Sequence, residues 1–304
     1  MSMLDSYLIP ALDGVAYGLV LFLVAGGLTL AYGVGRMLNL AHGTLCALGA
    51  YTAATLSHGT WHSLTVAIAL GSVAGAGGGT ALAALLAPVA DRGPLEQALL
   101  TAGVALVGTD LLATATGGNN LPVALPAAVA GTTSVAGHRY PTYRLALIVV
   151  ALSIAAGGYL ALSYSRAGRV IRATVGDAEM VACLGISPTW VRSGVLAVSG
   201  ALAGLAGALG APVIGVGPST ADTVLMLSVV VVVVGGLGSI PGALAAAVGV
   251  GEVQTLGVSA LPGWVGPYLL YGAAATALVV RSHPSLQSRL RLPVPSPVAK
   301  GGPA

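Results

Sequence analysis

Few side chains in this sequence can do chemistry, and their placement narrows what that chemistry can be. Glu252 and Asp110 fall inside long apolar runs, where an ionisable group is costly and marks a functional position by default. His42 opens another apolar run, three residues after Asn39 and beside Gly43. Asp222 follows Ser219 by three, the spacing of a capping box at a helix start. His58 and His62 are four apart with Gly59 between them, and they read as interfacial polar residues rather than metal ligands. Cys46 and Cys183 form no metal or redox spacing.

The missing patterns are as informative. No G-x-x-x-x-G-K-[ST] phosphate loop occurs, the single lysine is Lys300, and G-x-S-x-G, H-E-x-x-H and C-x-x-C are absent. An enzyme of familiar type is not expected, and neither is ATP hydrolysis by this chain. No two carboxylates share one obvious depth, as an ion-coupled carrier working alone would require unless unwound backbone replaced them.

The elements that must hold these residues follow from composition. Charged residues make up 7% and hydrophobic ones 56% of the 304 residues, where a soluble domain carries about 25% charged. Mean hydropathy is +0.93. Too few charges remain to cover a soluble surface, so lipid is the solvent, and soluble, nucleic-acid-binding and disordered readings fail. The sequence predicts an all-α polytopic bundle of eight or nine membrane segments, since each apolar run approaches the ~20 residues of a spanning helix. The runs lie at Ala11–Gly35, Ala41–Ser57, Leu64–Ala87, Leu95–Ala115, Thr142–Tyr164, Val191–Pro212, Thr220–Gly236, Pro241–Val258 and Trp264–Val280. The second and seventh are short, as broken or re-entrant helices are. Glycine, 45 residues in all, recurs at small-xxx-small spacing in Gly14/Gly18, Gly71/Gly75/Gly79 and Gly200/Gly204, which permits close helix contact.

Arginine placement sets the expected sidedness. Arg166, Arg169, Arg172 and Arg192 flank one loop, and Arg281, Arg289, Arg291 and Lys300 fill the tail. Both are expected in the cytoplasm, which puts the N-terminus outside. Arg139 and Arg144 then fall outside, as exceptions. Residues 1–281 form the membrane domain, with a cytoplasmic loop at 165–190, and residues 282–304 a disordered tail. The external stretch Thr116–Pro141 is expected to be irregular. Within the cytoplasmic loop, Gly176 should break a basic helix, with Asp177 and Glu179 at the start of a short helix that Gly185 ends. Such a helix suits docking to a soluble partner; an ordinary solvated loop is the alternative.

Three motifs stand out. The first is Leu30-Ala-Tyr-Gly-Val-Gly-Arg-Met-Leu-Asn-Leu-Ala-His-Gly-Thr-Leu45 with Gly49-Ala-Tyr51. The second runs from Ser165 through Gly185-Ile-Ser187 to Ser199–Gly207, and the third is Val230–Val234, then Gly235-Gly-Leu-Gly-Ser-Ile-Pro-Gly242 and Glu252. In order and spacing, over about residues 11–280, they resemble the membrane subunits of branched-chain amino acid ABC transporters, the LivH/LivM type of permease.

The resemblance implies a permease for amino acids, branched-chain or other apolar ones, with urea or short amides as alternative cargo. It implies partners: ATP-binding subunits that hold ATP and Mg, a second permease subunit, and an extracytoplasmic solute-binding protein. No cofactor is expected in this chain, and no nucleic acid. Gly176–Gly185, with Arg169, Arg172, Asp177 and Glu179, would be the ATPase-coupling segment. Asn39, His42 and Gly43, and Gly235, Gly236, Gly238 and Gly242, would be helix breaks near the pathway; close helix packing alone is the alternative for both. Glu252 is expected to tie helices together rather than bind substrate.

Overall fold

The computed structural model describes residues 3–35, 39–90, 92–135, 137–260, 272 and 275–276. The predicted Trp264–Val280 segment, the tail from residue 282, Arg36 and Asp91 lie outside the described residues, wholly or largely. The helices are α1 (Met3–Gly35), α2 (His42–Leu56), α3 (Trp61–Leu86, extended by a 3-10 turn at Ala87–Val89), α4 (Pro94–Ala115), α5 (Ala127–Ala130) and α6 (Thr142–Tyr164). After them come α7 (Arg166–Gly176), α8 (Ala178–Cys183), α9 (Pro188–Ile214), α10 (Thr220–Gly235) and α11 (Ile240–Ala260).

Five of these are long and apolar enough to cross a membrane: Tyr7–Val34, Trp61–Val89, Pro94–Ala115, Thr142–Tyr164 and Pro188–Ile214. The chain is a multi-pass membrane protein. The expected eight or nine crossings are not reproduced as such among the described residues. α2 has 15 residues and α10 has 16, about 22–24 Å of helix, short of a ~30 Å hydrocarbon core.

α1 and α9 form the centre. Of their apolar windows 56% and 61% are buried, against 6% for α4 and 11% for α6, which therefore lie at the periphery. Lipid gives helices no hydrophobic push toward each other, so close packing must hold them together. The α3–α9 seam shows how. A Cβ on Gly75 would strike the Gly200 carbonyl, and one on Gly200 would strike that of Gly75. Gly204 meets the Gly71 carbonyl, and Gly79 meets that of Leu196. The two helices run antiparallel with backbones in direct contact over about two turns. Gly14 and Gly18 serve the same end against α11, where Gly251 faces the Gly14 carbonyl.

Two local expectations are corrected. Thr116–Pro141 is not merely irregular: it holds an antiparallel pair, β1 (Thr132–Val135) and β2 (His138–Pro141), with Thr132 opposite Pro141 and Val135 opposite His138. The run Thr132-Thr133-Ser134-Val135, three of its four residues β-branched, suits a strand, and Gly137 supplies the positive φ of +84° that the tight turn needs. The bundle is thus mostly helical, as expected, with one small hairpin. Asp222 and Ser219 make no capping box. Ser219 has helical φ and ψ (−87°, −2°) and accepts no capping bond, whereas a capping residue needs extended backbone. The reciprocal cap occurs instead at Thr60 and Ser63, and it starts α3 three residues earlier than expected.

Candidate functional site

Three groups of predicted residues can be placed. The first is the segment between α6 and α9, at what we term the loop end of the bundle. Ser165 is extended and its hydroxyl accepts from Gly168 N at 2.9 Å, which starts α7 immediately after α6 stops. This sharp corner brings the α7 arginines back onto α6. Arg169 donates to the Tyr164 carbonyl at 3.2 Å, and Arg172 donates to those of Leu162 and Ser163, the latter at 3.0 Å. A helix leaves its last four carbonyls without partners, and basic side chains satisfy them well. Both predicted coupling arginines therefore lock the α6–α7 corner, a role the sequence reading did not assign.

Beyond them, Gly176 is the last residue of α7. Asp177 caps α8, its Oδ1 accepting from Met180 N at 2.9 Å. α8 has six residues, fewer than the Gly176–Gly185 span expected. Gly185, with φ +81°, closes it, and Gly185 N and Ile186 N return to the carbonyls of Ala182 and Val181. Only glycine reaches that conformation cheaply. Val181 is buried and anchors the short helix, while Glu179, Met180, Leu184 and Trp190 stay exposed, Leu184 at 73% and Trp190 at 81%.

The second group is Asn39-Leu-Ala-His-Gly43. Residues 39–41 are non-helical, yet Asn39, Ala41 and His42 are fully buried. Leu40 N donates to Thr101 Oγ1 at 3.3 Å, and Thr101 lies seven residues into α4, about 10 Å along it. His42 Nε2 bonds the Val24 carbonyl at 2.8 Å, eleven residues before the end of α1. α2 therefore begins deep within the bundle. Irregular backbone at such depth survives only when enclosed by protein or lining a cavity. Asn39 supplies part of that enclosure, its Oδ1 accepting from Ala41 N at 3.0 Å. Gly43 lies against the Ala221 carbonyl and Leu225 of α10, where no Cβ would fit. Asn39 Nδ2 and His42 Nδ1 have no hydrogen-bond partner.

The third group is the turn between α10 and α11. Gly236 and Gly238 have positive φ of +101° and +82°. Gly235 and Gly242 face each other so closely that a Cβ on either would meet the other's carbonyl group. Gly242 N donates to Ser239 Oγ at 3.2 Å.

These groups do not converge on one pocket. Gly43 touches the start of α10 and Gly235 ends it, about 21 Å along the helix. Asp110 is exposed on peripheral α4, while Glu252 is half-buried on α11 with its carboxyl over Gly14. The two acids sit on different helices and form no pair. Among the described residues no cluster of three metal-ligating side chains occurs.

One cluster was not anticipated. At the hairpin end, Arg144 of α6 is ion-paired with Asp13 of α1, and Tyr140 of β2 is fully buried beside them. Burial, and then the neighbouring Asp13 carboxylate, raise the Tyr140 hydroxyl above its ordinary pKa. The available signal was Arg144, an exception to the expected sidedness, together with Asp13, an acid inside the first apolar run.

Known proteins resemble the chain along most of its length. The high-affinity branched-chain amino acid transport system permease protein LivH of Escherichia coli is 28% identical over 260 residues, 80% of this chain and 83% of that protein. The high-affinity branched-chain amino acid transport system permease protein BraD of Pseudomonas aeruginosa is 26% identical over 288 residues, 90% of this chain and 94% of that one. The probable branched-chain amino acid transport permease protein LivH of Methanocaldococcus jannaschii is 27% identical over 276 residues, covering 88% and 86%. No solved structure matches the chain significantly. Residues 11–281 match the family described as branched-chain amino acid transport system / permease component, and the chain belongs to that family.

Proposed function

We propose that this chain is the transmembrane permease subunit of an ATP-binding cassette importer for amino acids, branched-chain or other apolar ones. It works by alternating access, with the loop end in the cytoplasm and the hairpin end outside. Residues 1–281 form the permease domain, and residues 282–304 a cytoplasmic tail. ATP and Mg belong to separate ATP-binding subunits; a second permease subunit completes the pore, and an extracytoplasmic solute-binding protein delivers the cargo.

The observation that carries this reading is the loop end. α8 is fixed by its Asp177 cap and by Val181, and it presents Glu179, Met180 and Leu184 outward. A short, preorganised helix that exposes acidic and apolar groups together suits a groove on a soluble partner, since preorganisation lowers the cost of binding. With Arg169 and Arg172 bonded to α6 carbonyls, a push on α8 passes through α7 into a spanning helix. Asn39, His42 and Gly43 place irregular backbone and unpartnered polar atoms deep in the bundle, and this is where a pathway wall that rearranges during transport is best sought. The Gly235–Gly242 turn lets α10 and α11 move as one body.

The test is tagged purification in mild detergent, with the co-purifying chains identified, then reconstitution into liposomes. ATP-binding subunits in the complex and ATP-dependent uptake of a branched-chain amino acid are expected. Uptake by the chain alone without ATP would make it a secondary carrier. Uptake of urea or a short amide in place of amino acids would keep the importer and change its cargo.

A further inference from the structure

At the loop end, the close α3–α9 seam comes to a stop. The last glycine contact is Gly79 against the Leu196 carbonyl. Beyond it α3 carries Ala83 and Leu86 instead of glycine, the helices part, and a cavity of about 220 Å³ opens between them and the end of α1. Ala31 and Val34 of α1, with Ala83 and Leu86 of α3, form an apolar wall.

The mouth has a different character. Thr189, Arg192, Ser193 and Leu196 lie at i, i+3, i+4 and i+7 on one face of α9, and all four line the cavity. Gln97 stiffens the opposite rim, its Nε2 donating to the carbonyls of Val89, Ala90 and Arg92 at 3.0–3.3 Å. Arg192 has no acidic partner among the described residues. Two residues before it on α9, Trp190 is 81% exposed, as aromatic residues at a membrane–water boundary are.

We infer that this cavity binds the phosphate headgroup region of an anionic glycerophospholipid from the leaflet at the loop end. The guanidinium of Arg192 takes the phosphate, a pairing arginine makes with fixed geometry, and the Thr189 and Ser193 hydroxyls donate to its oxygens. The apolar wall receives the glycerol and the first carbons of the acyl chains. Free phosphate would use the mouth alone and leave that wall empty. The volume admits a headgroup and excludes whole acyl chains, which stay in the bilayer. Bound there, the lipid would brace the start of α9 against α1 and α3, directly after the segment that carries α8. The site stands apart from the proposed transport reaction and does not depend on it.

The test uses the full chain purified in neutral detergent, with lipid retention read by native mass spectrometry. Phosphatidylglycerol should be retained in preference to phosphatidylcholine. Arg192→Gln should weaken that retention by about tenfold, the loss of one charge-assisted hydrogen-bonding group. Arg139→Gln, which removes the same charge at the hairpin end, should leave it unchanged. Ala83→Leu, which fills the wall and keeps the arginine, should also weaken it. Equal retention by wild type and Arg192→Gln, or equal retention of both lipids, overturns the inference. So does full competition by millimolar inorganic phosphate, which would make the site one for the free anion.

Discussion

Arg144 and Asp13 lie 131 positions apart in sequence and form an ion pair at the hairpin end, with side chains 31% and 25% exposed. The pair joins α6 to α1, a peripheral helix to a central one. It also matches the Arg144 charge within the protein.

Arg144→Gln is expected to lower stability by about 1–2 kcal/mol, between the values for exposed and buried pairs. Thermal denaturation in detergent would measure it. Asp13→Asn combined with Arg144→Gln should lose less than the sum of the two single changes. Strict additivity would show that the two charges do not act as a pair.

Tyr140 gives the same cluster an alkaline signature. Its hydroxyl pKa is raised in the folded chain, by burial first and by Asp13 second, so the folded state holds the proton more tightly than the unfolded one. That preference costs nothing below the ordinary tyrosine value near 10. Above it the unfolded state loses its proton first, and stability falls as pH rises. Tyr140→Phe should therefore make stability less sensitive to pH above about 10. An unchanged slope would place the alkaline loss elsewhere.

Two glycines on α3 make an internal contrast. Gly75 is packed against the Gly200 carbonyl, while a Cβ at Gly77 would meet nothing within 4 Å. Gly75→Ala should destabilise by about 1–3 kcal/mol through overpacking. Gly77→Ala should stabilise by about 0.5–1 kcal/mol, because it only removes the helix cost of glycine. Melting curves of the two variants that moved together would contradict the α3–α9 seam.

The loop end separates stability from coupling. Arg172→Gln removes bonds to the Leu162 and Ser163 carbonyls and should lower stability by about 1 kcal/mol. Asp177→Arg with Glu179→Arg should leave membrane insertion intact and uncouple ATP hydrolysis from uptake in the reconstituted complex. Asp177→Asn keeps a capping oxygen for Met180 N and should behave like wild type. Normal ATPase stimulation in the double arginine variant would remove α8 from the coupling path.

Glu252→Gln should reduce uptake only modestly, because the carboxyl lies over Gly14 on a neighbouring helix and acts in helix packing. A collapse of substrate affinity confined to this variant would move Glu252 into the pathway.

Composition and short-range pattern determined a good deal. With 7% charged residues the chain had to be a membrane protein. The run from Thr142 to Tyr164 was legible to the residue, because a spanning helix satisfies its backbone internally and needs only ~20 apolar positions. The break at Gly176 and the stop at Gly185 were legible too, as glycine effects act over one turn. Tertiary structure decided the partners. The spacing of Gly71, Gly75 and Gly79 marked a face for close contact, but only the placement of α9 showed which backbone fills it and left Gly77 open. Arg169 and Arg172 were expected in the coupling segment, with a solvated loop as the alternative; only the corner at Ser165 shows them folded onto α6. The depth at which α2 begins was hidden as well: Asn39-Leu-Ala-His-Gly43 becomes a buried break only because the Thr101 hydroxyl of α4 and the Val24 carbonyl of α1 accept from Leu40 N and His42 Nε2 where water cannot reach.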